Sequence, residues 1–191
     1  MYSPKGYEDG EEFGSLLMVD ELEPMPVEQK DLFDDALEVQ LVRWNFRRLL
    51  AQKSHVVVTN PPYMAVSNAS GKMQDYIKKN FPDSKADLFA VFIERCGQLA
   101  GKNCYQAMIT QHAWMFLSSF EKLRAKLQTV DTVNMAHLGA RAFEEIGGEV
   151  VQTTSFVMRK SHIKGYKGTY CRLIEPNTQQ GKEDMFLAGE N

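Results

Sequence analysis

Cysteine is scarce in this sequence: Cys96, Cys104 and Cys171 are the 3 in 191 residues, with no Cys-x-x-Cys pair among them. An odd, widely spaced set excludes the framework of a small disulfide-bonded domain and offers no zinc-ligating pair. No metal is expected, and the thiols read as the reduced cysteines of a cytoplasmic protein. Long apolar runs are also missing. The longest uninterrupted stretches fall far short of the roughly 20 residues that cross a bilayer, so no membrane partner is expected. The opening residues Met1-Tyr-Ser-Pro-Lys-Gly-Tyr-Glu-Asp-Gly10 hold no apolar segment of the kind a signal peptide needs. Glycine and proline, 13 and 7, are too few for a collagenous or low-complexity chain. What is present is the make-up of a folded domain, 43% hydrophobic and 25% charged, long enough to bury a core.

Charge is unevenly divided. Residues 1–40 carry 12 acidic and 2 basic side chains, whereas residues 41–191 carry 13 and 20, so the net charge of −3 conceals a basic larger part. An acidic partner such as nucleic acid therefore stays open for that part. The acidic stretch reads as a solvated N-terminal segment.

The chain divides by pattern into an acidic irregular segment (1–26), a main body (27–160) and a boundary or following region (161–191). Within the first, Leu16-Leu-Met-Val19 is a candidate strand. From Val27 to Gln52, Leu32, Phe33, Leu37, Leu41, Trp44 and Leu49 return at helical spacing, with acids early and arginines late, as a helix dipole favours. His55-Val-Val-Val-Thr-Asn60 reads as a strand buried on both faces, because three β-branched residues follow one another without alternation. Pro61-Pro62 stops it. Residues 63–83 read as a long polar loop with one helical turn near Tyr76-Ile77. Ser84 with Asp87 resembles an N-terminal cap for a helix burying Leu88, Phe89, Phe92, Ile93, Cys96 and Leu99, which Gly101 ends. Gln106–Thr110 is a strand, Ser118 and Glu121 form a capping box for the next helix, and 132–138 and 150–158 are two further strands. Between these last two lie a helical piece, Ala142–Ile146, and Gly147-Gly148. A final strand is expected at 170–175. Strands alternating with helices predict an α/β fold built on a parallel sheet, with the last pair adding an antiparallel hairpin at one edge.

The chemistry concentrates in Asn60-Pro61-Pro62-Tyr63. In an open α/β sheet, ligands collect beyond the carboxyl ends of strands, which is where this tetrapeptide falls. Two prolines offer carbonyl acceptors, no donors and a stiff turn; Asn60 adds an amide oxygen. Tyr63 supplies a flat face at the rim. Such a set suits the NH2 group of a planar substrate whose lone pair is delocalised and poorly nucleophilic. Two acceptors on the NH2 hydrogens enrich the nitrogen and aim its lone pair at an incoming methyl group. No titrating base lies within the tetrapeptide, so positioning and electrostatics carry the rate.

Asn-Pro-Pro-Tyr after a strand resembles the catalytic motif of S-adenosylmethionine-dependent amino methyltransferases, above all the adenine-N6 DNA enzymes. Asp87-Leu-Phe-Ala-Val-Phe-Ile-Glu94 resembles their next helix, and Ala107-Met-Ile-Thr-Gln-His-Ala-Trp-Met115 their next strand and loop. Gly139-Ala-Arg-Ala-Phe-Glu-Glu-Ile-Gly-Gly-Glu-Val-Val151 resembles their final hairpin. The run from Val56 to Lys160 is most similar to the PglX family of adenine methyltransferases in phage-exclusion (BREX) systems. The resemblance implies the C-terminal half of a Rossmann-like class I methyltransferase sheet, with S-adenosyl-L-methionine as cofactor and double-stranded DNA with a flipped adenine as partner. It assigns Asn60 and the Pro61 carbonyl to the adenine N6 group, Tyr63 to stacking on the flipped base and Pro62 to the turn. It also places Leu88 or Phe89 near the cofactor's adenine. These enzymes hold the cofactor with a Gly-x-Gly strand–turn–helix ahead of the Pro-Pro motif. The 59 residues before Asn60 contain none: Gly6, Gly10 and Gly14 stand apart. The chain therefore reads as a partial catalytic domain, inactive alone, whose further partner is the remainder of the methyltransferase. Half a twisted sheet leaves an edge exposed.

Other features have plainer readings. Lys72, Lys78, Lys79 and Lys85 punctuate the loop after the motif, where they are placed to meet DNA phosphates or simply to solvate it. His112 follows a strand end and is a candidate pocket residue or a packed one; His137 reads as structural. Gly147-Gly148 with Glu149 lacks the spacing and lysine of a phosphate-binding loop and reads as a turn. Two other functional readings remain open: a protein methyltransferase acting on a glutamine side-chain amide, which shares Asn-Pro-Pro-Tyr, and a non-catalytic interaction module.

Overall fold

The computed structural model describes residues 7–26, 35–143 and 151–189. The chain divides into two compact units, Met1–Lys53 and Ser54–Asn191.

The first unit holds two helices, α1 (Tyr7–Phe13) and α2 (Asp35–Ala51). A single 3-10 turn, Gly14–Leu16, follows α1 and buries Leu16, so the expected strand at 16–19 does not form. Gly14 at φ +50° turns the chain immediately before the apolar run, and the run spends its side chains on packing, with Leu16 and Leu17 both buried. The helical spacing seen from Val27 onward is realised from Asp35; residues 27–34, with Leu32 and Phe33, lie outside the described residues. Leu49 is exposed and no side chain described in α2 is fully buried. Trp44 Nε1 donates to the Glu23 carbonyl at 2.7 Å, tying α2 to the proline-bearing segment before it.

The second unit is a five-stranded sheet in the order β1-β2-β4-β3-β5. Its strands are β1 (Ser54–Thr59), β2 (Ala100–Gln111), β3 (Asp131–Gly139), β4 (Thr153–Arg159) and β5 (Thr169–Arg172). β1 runs parallel to β2, β2 and β3 both pair antiparallel with β4, and β5 runs parallel to β3. Four strands thus share one direction and only β4 opposes them, which gathers the carboxyl ends of β1, β2, β3 and β5 along one rim. The hairpin forms, yet not at the edge: β4 inserts between β2 and β3, and β5 takes the outer position. Residues after 160 are built into this sheet, since they also supply α6 (Gln179–Ala188), whose buried Lys182 donates to the Leu138 and Leu173 carbonyls at 2.7 Å each.

The crossover from β1 to β2 carries α3 (Gly71–Asn80) and α4 (Leu88–Leu99). α3 replaces the expected loop. Ser70 Oγ accepts from the Met73 amide at 3.1 Å, Ile77 is fully buried one turn beyond Met73, and Lys78 and Lys79 sit in the last turn. α4 is capped by Asp87, not by Ser84; Ser84 is buried and donates from Oγ to Glu94 Oε2 at 2.9 Å. Nor does the Ser118–Glu121 capping box form. Ser118–Phe120 makes a 3-10 turn and α5 (Glu121–Leu127) starts behind Phe120 without a side-chain cap. Phe89, Ile93 and Cys96 of α4 pack with Met108, Trp114, Phe120, Leu123, Phe156 and Met158 into the core. Trp114 sits edge-on to Phe156 at 5.5 Å and its Nε1 donates to Thr110 Oγ1 at 3.1 Å, so the buried indole is satisfied.

β2 begins at Ala100, six residues earlier than its apolar run indicates. A register shift against β1 between Ser54 and Val56 absorbs Gly101–Cys104, where Asn103 takes φ +61°. β1 is not buried on both faces: it lies at the sheet edge, with Val56 at 58% and Val58 at 70% exposure. The expected helical piece at 142–146 is a bend at Ala142 and Phe143; its remainder and Gly147-Gly148-Glu149 lie outside the described residues. No described helix is long and apolar enough to cross a membrane.

Candidate functional site

Asn60-Pro61-Pro62-Tyr63 leaves the carboxyl end of β1 at the rim where the parallel strands end. Asn60 is exposed, Pro61 buried, Pro62 exposed and Tyr63 half-buried. Among the described residues no donor is bonded to the Asn60 side chain or to the Pro61 carbonyl. Burying the Pro61 ring anchors the turn, and the missing proline N–H groups remove local competitors for those two oxygens.

Tyr63, expected to supply a flat face at the rim, is half-buried. Its ring meets Phe89 edge-on, centroids 6.3 Å apart and planes 86° apart, and it packs against the core. Its hydroxyl is enclosed and has no partner among the described residues; burial pushes its pKa up. The ring, not the hydroxyl, is therefore what the fold positions.

The segment after Tyr63 is fastened to the start of α4. Asp87 Oδ1 accepts from the Met64 and Phe89 amides, each at 3.2 Å. The Leu88 amide donates to the Met64 carbonyl at 2.9 Å, the Val66 amide to the Ala86 carbonyl at 3.2 Å, and Ala65 and Asp87 form an isolated antiparallel bridge. Burial pushes the Asp87 carboxyl pKa up, and the amides of Phe89, Met64 and Leu88 pull the other way. The sequence marks Asp87 as part of a cap. Its bond to Met64, 23 residues away, has no local signature.

Leu88 and Phe89 are 6% and 1% exposed. Phe89 lies between Tyr63 and Phe120, the latter ring centred 5.6 Å away. Side chains enclosed to this degree do not by themselves form a cradle for a nucleoside cofactor, so the residues present do not fit the whole group. Two cavities of this unit, about 410 and about 320 Å³, lie around Leu127, Val130 and Met158 and do not touch the tetrapeptide.

Of the lysines expected near DNA, Lys72, Lys78 and Lys79 lie on α3, and Lys85 lies exposed in the turn before α4. Lys72, Lys78 and Lys79 are all exposed, and Lys78 Nζ stands 3.7 Å from Asp75 in an i,i+3 pair. Lys72 and Lys79, two turns apart, lie on one side of the helix. His112 and His137 are hydrogen-bonded to each other, Nδ1 to Nε2 at 2.8 Å, a pairing across 25 residues that no spacing in the sequence announces. Burial pushes both imidazole pKa values down, and His112, Arg172 and Lys182 lower that of His137 further. Among the described residues no group of three or more His, Cys, Asp or Glu is gathered for a metal.

Comparison with known proteins finds methyltransferases. Over 202 residues the chain is 41% identical to the adenine-specific methyltransferase PglX of Lacticaseibacillus casei (strain Zhang), covering 93% of this chain and 16% of that protein. Over 139 residues it is 45% identical to the adenine-specific methyltransferase BrxX of Escherichia coli O9:H4 (strain HS), covering 72% of this chain and 12% of that protein. The chain thus spans less than a fifth of the length of either relative. A crystal structure from Listeria monocytogenes, described as a class I S-adenosylmethionine-dependent methyltransferase, superposes with a TM-score of 0.50 at 13% identity, covering 83% of this chain and 53% of that one. This likeness shows the fold: a mixed α/β sheet of the class I methyltransferase type. Residues 15–142, which include the exposed Asn60 and the Asp87 fastening, match one family throughout, and the chain belongs to that family, the Eco57I restriction-modification methylases.

Proposed function

We propose that this chain supplies the amine-holding part of an adenine-N6 DNA methyltransferase of the restriction-modification or phage-defence type, acting in the cytoplasm. The observation that carries the reading is the pair of acceptors at the end of β1: the Asn60 amide oxygen and the Pro61 carbonyl, both without a protein donor among the described residues. An exocyclic NH2 presents two hydrogens, and two fixed oxygens take one each. That grip orients the nitrogen and favours the positive charge that develops on it as it is alkylated. Adenine N6 is engaged in pairing within a duplex, so the base is flipped outward and stacks on the Tyr63 ring. The names of the relatives support adenine as the substrate; nothing in the tetrapeptide itself separates adenine from a glutamine amide.

S-adenosyl-L-methionine supplies the methyl group in this reading. The resemblance alone puts Leu88 or Phe89 near its adenine; both are enclosed at the start of α4, so the cradle itself would come from the rest of the transferase. That remainder is also the partner for β1, which is an outer strand of the sheet and leaves Val56 and Val58 exposed on one face although their sequence is that of a covered strand. Lys72 and Lys79 on α3 give the DNA phosphates cationic contacts.

The test offers S-adenosylmethionine with a labelled methyl group to the transferase that contains this chain, in the presence of an adenine-bearing duplex and a glutamine-bearing protein. The expected result is label in the duplex alone. Label confined to protein would overturn the proposal.

A further inference from the structure

The fastening between the tetrapeptide and α4 runs through one carboxylate oxygen. Asp87 Oδ1 accepts simultaneously from the amide that directly follows Tyr63 and from the second amide of α4, both at 3.2 Å. Around it, the Leu88–Met64 and Val66–Ala86 backbone bonds and the Ala65–Asp87 bridge form a short antiparallel clasp. The side chain just inside the clasp is Tyr63, and the side chain it meets edge-on is Phe89, the residue whose amide Asp87 also holds. One acceptor thus fixes both backbones that carry the two touching rings. A neutral side chain of the same shape keeps the acceptor; a shorter one loses it and leaves two amides unpaired beneath the loop.

We infer that Asp87 is a positioning residue for methyl transfer: by bonding the Met64 and Phe89 amides together it sets the placement of the Tyr63 ring and of the acceptors ahead of it. This rests on the reading of Asn60–Tyr63 as the amine-holding site. Asp87 touches no substrate; it acts through the loop.

Two measurements separate the clasp from the function. The first is hydrogen exchange of the Met64 and Phe89 amides in the 191-residue chain, for the native sequence, Asp87→Ala and Asp87→Asn. Protection at both amides is expected to fall at least tenfold in the alanine variant and to return in the asparagine variant, whose Oδ1 still accepts. Equal protection in all three, or asparagine as damaging as alanine, overturns the clasp. The second is transfer to an adenine duplex by the transferase containing each variant. Asp87→Ala is expected to lower kcat at least tenfold with KM for the duplex within twofold, and Asp87→Asn to restore kcat. A loss carried by KM alone, or equal activity in all three, overturns the positioning role. If the native enzyme transfers nothing to adenine, the proposed function fails, and the exchange data still decide the clasp.

Discussion

Asn60 and Tyr63 do different work within one short turn, and substitutions separate them. Asn60 is exposed with its amide unengaged among the described residues, so Asn60→Ala removes an acceptor without breaking a described protein contact. We expect transfer to fall by at least about a hundredfold, the scale of losing one preorganised transition-state contact, while the thermal midpoint of the chain is unchanged. Unaltered turnover in a steady-state assay would remove Asn60 from the site. Tyr63 carries a buried hydroxyl without a partner among the described residues. Tyr63→Phe therefore removes an unsatisfied polar group, and we expect the phenylalanine variant to match or exceed the native chain in stability by up to about 1 kcal/mol in denaturant unfolding. Tyr63→Ala instead opens a hole against Phe89 and costs about 3 kcal/mol. A phenylalanine variant less stable than the native chain would place a hydrogen bond on the hydroxyl. At this scale much of the site is legible from sequence, since the prolines dictate a stiff, donor-free turn wherever they occur. The embedding of Tyr63 is not legible, because it depends on Phe89, which reaches it from another element.

Helices and strands show where local pattern stops informing. α4 and the cores of β2, β3 and β4 follow from spacing and β-branching. The Ser84 and Ser118 caps do not, because tertiary partners take over: Ser84 is committed to Glu94, and Phe120 is drawn into the core before α5 begins. α6 gives no strong apolar stripe; it is fixed by Lys182, which is 5% exposed and donates to carbonyls near the ends of β3 and β5. Lys182→Met keeps the bulk and orphans both carbonyls, with an expected cost of about 1–3 kcal/mol in denaturant unfolding. No loss would show that water replaces the ammonium. At the other end of β3, Asp131 accepts from Ser161 Oγ at 2.6 Å, from the Ile163 amide at 2.9 Å and from Arg159 Nη2 at 3.0 Å. These partners, Ser161 first, hold its pKa below the ordinary carboxylate value. A carboxylate depressed on folding adds stability above its unfolded pKa of about 4 and loses it as pH falls through the folded value. Asp131→Asn should accordingly flatten the acid limb of a stability-against-pH curve below about pH 4. An unchanged limb would mean that Asp131 does not govern it.

At the scale of the chain, the turn proposed to hold the amine leaves β1, an outer strand of the sheet. Val56 and Val58 share one face of β1 and stand 58% and 70% exposed, whereas Val57 on the other face packs against the core, so one face of this outer strand lacks the cover its sequence suits. With Leu88 and Phe89 enclosed and no Gly-x-Gly ahead of Asn60, calorimetry of the 191-residue chain with S-adenosylmethionine is expected to give no measurable heat of binding. Saturable binding would show a cofactor cradle within this chain. The central claim concerns which nitrogen is held. Two acceptors for an NH2 group direct methylation to the exocyclic position of adenine and leave the ring nitrogens untouched. The direct measurement is mass spectrometry of nucleosides from an adenine-bearing duplex treated with the transferase and S-adenosylmethionine. N6-methyladenine is expected from the native enzyme and none above background from the Asn60→Ala variant. Methyl at a ring nitrogen, or N6-methyladenine formed equally by both, would contradict it.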